Sequence, residues 1–354
     1  MILDKSIYNN KEDKMKVLVS GSKGFIAGYV IEKLLKEGYE VVGIDNYSKY
    51  GKIDKSYDNH KNYTFVEGDA KDVNLMKELI SDCDHFINLA AMIGGISYFH
   101  THAYDLLAEN ERISAAAFDA AIWAHKNKKL KKITQLSSSM VFESTDHWPS
   151  KEGDEFEIPP PLSTYGFQKL AAEYFCKGAY EQYQLPYTVI CPFNAVGTGE
   201  ERAKTDVEIT SGNVKLAMSH VIPDLIQKII KGQNPLHILG DGNQIRHYTY
   251  AGDLANGIVA TLENGNATNE VFNISTPIGH TVMELSKIIW EKIKGNEEFK
   301  GFINDKPFHY DVQKRVPDVS KAKELLGIEC TTTIEEALDE VIPWCMEMIE
   351  KGKI

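Results

Sequence analysis

Apolar runs alternate with amphipathic segments along the first half of the chain. Short, continuously apolar runs are typical of buried strands, and they include KVLVS at 16–20, EVVGID at 40–45 and YTVICPF at 187–193. Residues 24–37 and about 104–125 instead carry apolar side chains at helical spacing. Strands that are apolar throughout and separated by helices predict an α/β fold with a doubly wound parallel sheet, covered by helices on both faces.

The pattern changes after about residue 192. Residues 194–220 are polar and punctuated by glycine, without clear strands, and later helices are predicted at about 221–231, 281–293, 319–326 and 333–349. The segments DLANGIVATL and EVFNIS still have the pattern of a helix and a strand that could return to the sheet. We therefore expect a polar extension (1–14), a sheet domain (15–192, with about 245–276 returning) and a smaller C-terminal α/β lobe (193–244 and 277–354).

Composition excludes several classes of protein. The 354 residues carry a net charge of −12, which repels nucleic acid and anionic membranes, so neither is expected as a partner. No apolar run reaches the roughly 18 residues that a membrane span needs, and the first 14 residues lack the apolar core of a signal peptide. The five cysteines are odd in number and without CxxC spacing, and no cluster has metal-ligand spacing. We expect a cytoplasmic protein with reduced thiols and no metal.

The stretch SGSKGFIAG joins the first predicted strand to the first predicted helix. Gly21 and Gly24 allow a tight turn and the close approach of a pyrophosphate, and the helix that follows offers free N–H groups at its N-terminus. Ala27 stands where a third glycine is expected, and it is small enough to keep helix and sheet close. Asp45 ends the second strand, 21 residues after Gly24. Together these residues predict a Rossmann-type dinucleotide-binding domain.

The acidic residue at the end of the second strand favours NAD over NADP. Asp45 can accept hydrogen bonds from both ribose hydroxyls, whereas an added phosphate about 4 Å away would cost on the order of 4 kcal/mol at an effective dielectric of about 20. Lys23 opposes this preference if its cation attracts a 2′-phosphate; the alternative is a solvated surface lysine. Asp69, after the third strand, can hydrogen-bond the adenine amine, and the small residues of NLAA (88–91) let the cofactor lie across the sheet edge.

The pattern Tyr-x-x-x-Lys is by itself uninformative, because the chain contains it four times. Tyr165 and Lys169 open a helix after the serine-bearing strand, and their i, i+4 spacing puts both side chains on one helical face. A phenol is protonated at neutral pH, but a nearby ammonium and a nicotinamide cation both favour the phenolate. Context does not favour the other three pairs, which are Tyr29/Lys33, Tyr57/Lys61 and Tyr310/Lys314.

These motifs, with SSSMVF and PFNAVG, resemble in order and spacing the extended short-chain dehydrogenase/reductase family, in its nucleotide-sugar epimerase, dehydratase and reductase branch. The resemblance extends from about Met15 to the end of the chain. It implies tightly held NAD, a C-terminal lobe that binds a nucleotide-diphosphate sugar, and a homodimer built on helices at about 104–125 and 165–183. The cofactor contacts that it implies are Gly21, Lys23, Gly24, Phe25, Ile26, Asp45, Asn46, Asp69, Ala70, Leu89, Ala90, Ala91, Asn110, Tyr165, Lys169 and Pro192.

The resemblance also assigns roles within LSSSMVF (136–142). Ser138 falls at the family's Ser/Thr position, where it would orient the sugar hydroxyl that Tyr165 deprotonates, so the implied catalytic residues are Ser138, Tyr165 and Lys169. Ser137 and Ser139 are expected to be strand-end hydrogen bonders. The resemblance implies that Met140 stands where family dehydratases and decarboxylases carry glutamate and GDP-sugar 3,5-epimerases carry cysteine. A thioether cannot exchange a proton at neutral pH, so this position supplies no second proton relay.

The expected substrate contacts are Gly94, Gly95, Ser138, Asn194, His220, Arg246 and Arg315. The two arginines match family positions that bind a diphosphate, for which a planar guanidinium is well suited. The double glycine and His220 resemble GDP-sugar epimerases and epimerase–reductases, in which an equivalent histidine or a nearby lysine is an acid. His220 can be that acid, a substrate contact or the cap of the helix that follows.

The predicted function is an NAD-dependent nucleotide-sugar 4-epimerase, in which the C4 hydride passes to NAD and returns to the other face of the keto-sugar. Three alternatives stay open. A 4-dehydrogenase or 4-ketoreductase would share the same half-reaction, and a GDP-sugar epimerase would use His220. A catalytically silent scaffold would bind NAD without converting a substrate. The sequence predicts neither the nucleotide base nor the sugar.

Overall fold

A seven-stranded parallel sheet forms the centre of the protein in a computed structural model, which describes residues 15–94, 101–204, 209–216, 220–307 and 312–354. The predicted polar extension and Gly95 lie outside the described residues. In chain order, the described strands are β1 (Lys16–Ser20), β2 (Glu40–Asp45), β3 (Tyr63–Glu67), β4 (His85–Asn88), β5 (Lys132–Leu136), β6 (Tyr187–Pro192), β7 (Ile209–Ser211), β8 (Val214–Leu216), β9 (Leu236–Leu239), β10 (Ile245–Arg246), β11 (Glu270–Ile274), β12 (His280–Thr281) and β13 (Phe302–Asp305).

Helices cover both faces of this sheet and make up most of the lobe. The described α-helices are α1 (Phe25–Lys36), α2 (Val73–Ile80), α3 (Ala103–Asn127), α4 (Thr164–Tyr183), α5 (Val221–Ile230), α6 (Ala251–Ala260), α7 (Val282–Lys294), α8 (Ser320–Leu326) and α9 (Ile334–Glu350). Side-chain caps fix several starts: Ser163 begins α4, and capping boxes at Thr281 and Thr333 begin α7 and α9. The later helices start and end within a few residues of the predicted positions.

The sheet confirms the predicted fold class. Its strand order is β11-β6-β5-β4-β1-β2-β3, and every pairing is parallel. Alternate residues of β1 point to opposite faces: Leu18 packs with the core under α3 and α4, whereas Val17 and Val19 pack with the core under α1 and α6. The order in which strands are added to the sheet reverses between β1 and β4, and this opens a crevice at the carboxyl ends of these two parallel strands.

The smaller lobe has its own core, in which α5, α7 and α9 pack around β9. Residues 194–220 were expected to lack clear strands, and this expectation is wrong, because β7 and β8 form an antiparallel hairpin. Its strands have three residues each and turn at Gly212, which adopts a φ of +57°. Such short strands carry too few residues for an alternating pattern to be recognised. Strand β11 returns from beyond the hairpin to pair with β6.

None of the helices in the described ranges is both long enough and apolar enough to span a bilayer. The same ranges contain no group of three histidine, cysteine or acidic side chains arranged for a metal ion.

Candidate active site

A cleft of about 780 Å³ lies between the carboxyl ends of the sheet strands and the lobe. The residues that follow β1, β2, β3, β4, β5 and β6 all contribute to it, as do α5, β9 and β10 from the lobe. The predicted site residues that line this cleft are Gly21, Lys23, Gly24, Phe25, Ile26, Asp45, Asn46, Asp69, Ala70, Leu89, Ala90, Ala91, Gly94, Ser138, Tyr165, Lys169, Pro192, Asn194, His220, Arg246 and Arg315.

Asn110 is the described candidate that does not line the cleft. It is buried in α3, where its side-chain oxygen accepts a hydrogen bond from the Met92 N–H at 2.7 Å and its amide donates to the Met92 carbonyl at 2.9 Å. Asn110 therefore fixes the backbone after β4 and does not face the cleft. The sequence predicts that Asn110 lies in a long helix, but it does not predict the direction of its side chain.

The glycine turn after β1 fits a dinucleotide phosphate. Gly21 has a φ of +69°, and a Cβ there would lie 2.9 Å from the backbone Cα and N of Ala90. The turn closes with a hydrogen bond from the Gly24 N–H to the Gly21 carbonyl at 2.9 Å, and α1 begins at the next residue without a side-chain cap. The free N–H groups of α1 therefore open on the cleft where an anion is favoured.

The adenosine end of the cleft contains a carboxylate and a buried cation. Asp45 accepts hydrogen bonds from the Lys23 N–H at 3.0 Å and the Tyr47 N–H at 2.7 Å, which hold its carboxylate at the end of β2. Lys23 is only 4% exposed, and its Nζ lies 2.6 Å from Asp58 Oδ1. The interpretation of Lys23 as a solvated surface lysine is therefore wrong. Asp69, by contrast, is half-exposed and caps the Lys71 N–H at 2.9 Å.

The three implied catalytic side chains meet at the middle of the cleft. Ser138 and Tyr165 both line it, and the Ser138 hydroxyl lies close enough to the phenol to lower its pKa. Lys169 lies one helical turn beyond Tyr165, with its Nζ 5.9 Å from the tyrosine ring centroid and donating to the Leu136 carbonyl at 3.0 Å. The start of α4 is fixed by Ser163, whose hydroxyl donates to the Glu143 carboxylate at 2.7 Å. The serine strand and α4 thus bring the implied donor and base together.

Burial dominates the electrostatics of this trio. It raises the pKa of Tyr165, and the Ser138 hydroxyl and the charge of Arg315 lower that pKa only in part. Burial also lowers the pKa of Lys169 to about 8. The cations near the phenol were expected to favour the phenolate, but burial outweighs them and favours the neutral phenol of Tyr165.

Met140 packs directly against the tyrosine. It is 5% exposed and shares a small apolar cluster with Tyr165 and Leu106. Its thioether offers this part of the site packing and no exchangeable proton. The carboxylate of Glu143, three residues later, also lines the cleft, but it is occupied by Ser163.

Three further residues, His220, Arg246 and Asn194, line the cleft. His220 Nδ1 lies 3.1 Å from Glu200 Oε1, and His220 makes no side-chain capping bond to α5, so its interpretation as a helix cap is wrong. Arg246 is 8% exposed and donates to the Ile245 carbonyl at 2.9 Å, which excludes a solvated arginine. The side-chain oxygen of Asn194 is buried and lacks a hydrogen-bond partner within the described part of the chain.

A buried pair of carboxyl groups, Glu155 and Glu173, lies next to Ser137 and was not predicted from the sequence. The Ser137 hydroxyl donates to Glu173, which is 1% exposed, and the equally buried Glu155 lies near enough to influence it. Burial and the charge of Glu155 raise the pKa of Glu173. Helical spacing could have indicated Glu173, because it lies one turn beyond Lys169. Ser137 has the hydrogen-bonding role that was expected for it.

Comparisons with known proteins agree with this geometry. A family model described as the NAD-dependent epimerase/dehydratase family matches residues 17–275. The chain is 28% identical to a putative UDP-glucose 4-epimerase of Methanocaldococcus jannaschii, over 93% of this chain and 97% of that protein. It is 24% identical to UDP-glucuronic acid decarboxylase 1 of Xenopus tropicalis, over 96% of this chain and 74% of that protein.

Among solved structures, the chain is similar to a UDP-glucuronic acid 4-epimerase from Bacillus cereus in complex with UDP-glucuronic acid and NAD. The TM-score is 0.78 at 25% identity, and the match covers 94% of this chain and 100% of that one. The matched residues include the glycine turn, the serine strand and the Tyr165–Lys169 helix. This chain therefore belongs to the NAD-dependent epimerase/dehydratase family, whose members act on nucleotide sugars with NAD as cofactor.

Proposed function

We propose that this protein is a nucleotide-sugar 4-epimerase. The observation that carries the proposal is the packing of Met140 against Tyr165, at the position where the resemblance implies a second proton relay in dehydratases. Ser138, Tyr165 and Lys169 supply what hydride transfer at a single carbon needs. The similarity to proteins named as 4-epimerases supports the same reaction.

The proposed mechanism uses the proximity of Ser138 and Tyr165. Ser138 orients the 4-hydroxyl of the sugar, and the Tyr165 oxygen takes its proton as the C4 hydride leaves. When bound, NAD supplies the hydride acceptor and then the hydride donor at one carbon, and its positive nicotinamide favours the Tyr165 phenolate. Lys169 keeps a cation on the same helical face, while Arg246 and Arg315 bind the diphosphate during rotation of the keto-sugar.

Two other functions remain in competition. A 4-dehydrogenase or 4-ketoreductase would use the same trio, and it differs in consuming added cofactor, whereas an epimerase turns over with the cofactor it already holds. A GDP-sugar epimerase is favoured by one contact, that of His220 with Glu200, because a paired histidine is suited to proton transfer.

Solvent deuterium distinguishes single-carbon hydride transfer from deprotonation beside the ketone. We expect that turnover in D2O labels no sugar carbon, because in 4-epimerisation the hydride leaves and returns without meeting water. The measurement is mass spectrometry and NMR of the epimer formed from a panel of nucleotide sugars. The panel also identifies the base and the sugar.

A mass gain of one unit at a carbon would contradict this argument and favour His220 as an acid/base. The variant His220→Gln provides the matched test, because it keeps a polar side chain of similar reach at the same position. If it abolishes the label but leaves NAD binding intact, the reaction is a GDP-sugar type of epimerisation. An unlabelled product from both proteins leaves Ser138, Tyr165 and Lys169 as sufficient.

The proposed assembly is a homodimer through α3 and α4. These helices expose large aromatic side chains that a monomer would leave in water: Tyr104 is 75% exposed, Tyr174 57% and Phe167 47%. Phe167 and Tyr174 are two turns apart on one face of α4.

We expect a mass near twice 39.8 kDa by light scattering, and a shift toward the monomer in Tyr174→Glu. The control is Met346→Glu, which places the same charge at a 44%-exposed site on α9 and should leave the mass unchanged. A dimeric Tyr174→Glu would refute this interface.

A further inference from the structure

The buried cation beside Asp45 lies where it could decide which dinucleotide binds. Lys23 lines the cleft, and its backbone N–H donates to the carboxylate that is expected to hold the adenosine ribose. Its Nζ is 4.7 Å from the ring centroid of Phe65 and 5.9 Å from that of Tyr47. An unpaired ammonium in this position would attract a 2′-phosphate, since the aromatic rings exclude water that would otherwise screen its charge.

Asp58 forms an ion pair with the Lys23 ammonium and neutralises its charge. Its two carboxylate oxygens lie 2.6 and 2.7 Å from Lys23 Nζ, which is the geometry of a strong charge-assisted pair. Lys23 lines the cleft, whereas Asp58 is not among the residues that line it.

The loop between β2 and β3 holds the carboxylate in place. The Lys55 N–H donates to Asp58 Oδ2 at 2.8 Å. The Tyr57 hydroxyl donates to the Ser22 carbonyl of the glycine turn at 2.7 Å, and its ring packs edge-on against Tyr63. The Asp58 position is therefore tied to the same turn that carries Lys23.

We infer that Asp58 is a positioning residue that sets the cofactor specificity by pairing with Lys23. With the pair intact, the charge that meets the ribose is that of Asp45, and NAD is preferred. Without Asp58, Lys23 is a buried cation that lacks this counter-ion, and a 2′-phosphate can supply one. This inference concerns the cofactor alone and does not depend on which sugar is the substrate.

The test is a set of binding titrations with NAD and NADP on the full chain, after removal of any co-purified cofactor. We expect the wild type to bind NAD more tightly. In Asp58→Asn, the ratio of the NADP Kd to the NAD Kd should fall about tenfold or more. In the double variant Asp58→Asn with Lys23→Met, the ratio should return to the wild-type value, because the cation is gone. A purely structural role for Asp58 would not be rescued in this way.

The matched control is Glu67→Gln, which removes a carboxylate from the nearby exposed pair with Lys52. Its ratio should stay at the wild-type value, since exposed charges are screened. A fall of less than tenfold in Asp58→Asn, or a wild type that binds NADP as tightly as NAD, overturns the inference.

If Asp58→Asn does not fold, the double variant Asp58→Asn with Lys23→Met decides, because it removes both charges of the pair. The inference requires its ratio to stay within tenfold of the wild type, because a paired cation gives NADP little attraction. A larger rise would mean that Lys23 attracts phosphate despite Asp58, and the inference would be wrong.

Discussion

Tyr165→Phe is expected to lower kcat by about 10³-fold or more while leaving the fold and NAD binding unchanged. The change removes one oxygen, the one that is proposed to take the sugar proton. The phenyl ring can keep its packing against Met140 and Leu106, so the surrounding cluster is preserved. The measurement is epimer formation under saturating substrate, with circular dichroism and an NAD titration on the same sample.

Tyr174→Phe is the matched control on the same helix. Its hydroxyl lies in an exposed part of α4, away from the cleft, and its loss should leave kcat within about twofold of the wild type. The catalytic assignment fails if Tyr165→Phe keeps activity within tenfold of the wild type. Loss of NAD binding in that variant would instead point to a structural role for the hydroxyl.

Gly21→Ala is expected to cost roughly 2–5 kcal/mol of folding free energy and to abolish NAD binding at ordinary concentrations. The added Cβ would lie 2.9 Å from two backbone atoms of Ala90, and it would occupy a residue with a φ of +69°. Backbone atoms cannot rotate away as a side chain can, so β1 and the segment after β4 must separate. This separation widens the crevice in which the phosphates are expected to lie.

Two other glycines separate backbone strain from the collision. Gly38 also has a positive φ, +91°, but a Cβ there meets no atom within 4 Å, so Gly38→Ala should cost only about 1–2 kcal/mol and keep NAD binding. Gly178→Ala, in the middle of α4 with open space around it, should stabilise the protein by about 0.5–1 kcal/mol. Thermal unfolding and NAD titration check all three variants. A Gly21→Ala protein that behaves like Gly38→Ala would refute the collision.

The parallel sheet could be predicted because its strands are rich in apolar residues and because β1, β3, β4 and β5 each lead to an α-helix. The same pattern placed Gly21, Asp45 and Ser138 at strand ends, and the carboxyl ends of parallel strands share one edge. The hairpin at 209–216 could not be predicted, since three residues per strand form no pattern. The contacts of the Asn110 side chain could not be predicted, because helical position does not fix which neighbour a side chain contacts.

Contacts between residues that are far apart in the sequence were the features that could least be predicted. Lys23 was interpreted without Asp58, which lies 35 positions away in a polar loop with no regular pattern. Likewise, Glu200, which is the partner of His220, lies in the polar segment 194–220, where the sequence predicts no clear strand. Tyr165 could be identified from the sequence. The direction in which its pKa shifts depends on how deeply the phenol is buried, and burial is a property of the assembled fold.

The late return of β11 to the sheet has a consequence for the order in which the chain can fold. Residues 15–91 contain both sides of the phosphate crevice, so that crevice can form early in synthesis. Strand β6 is apolar along its length, yet the strand that covers its outer edge is completed only at Ile274, after about eighty more residues have been made. During this interval, a nascent chain has a cofactor-binding crevice and also an unpaired edge on β6, to which another strand could bind. Early capture of NAD would stabilise the chain during that interval, because a ligand that binds the folded part alone shifts the equilibrium toward it.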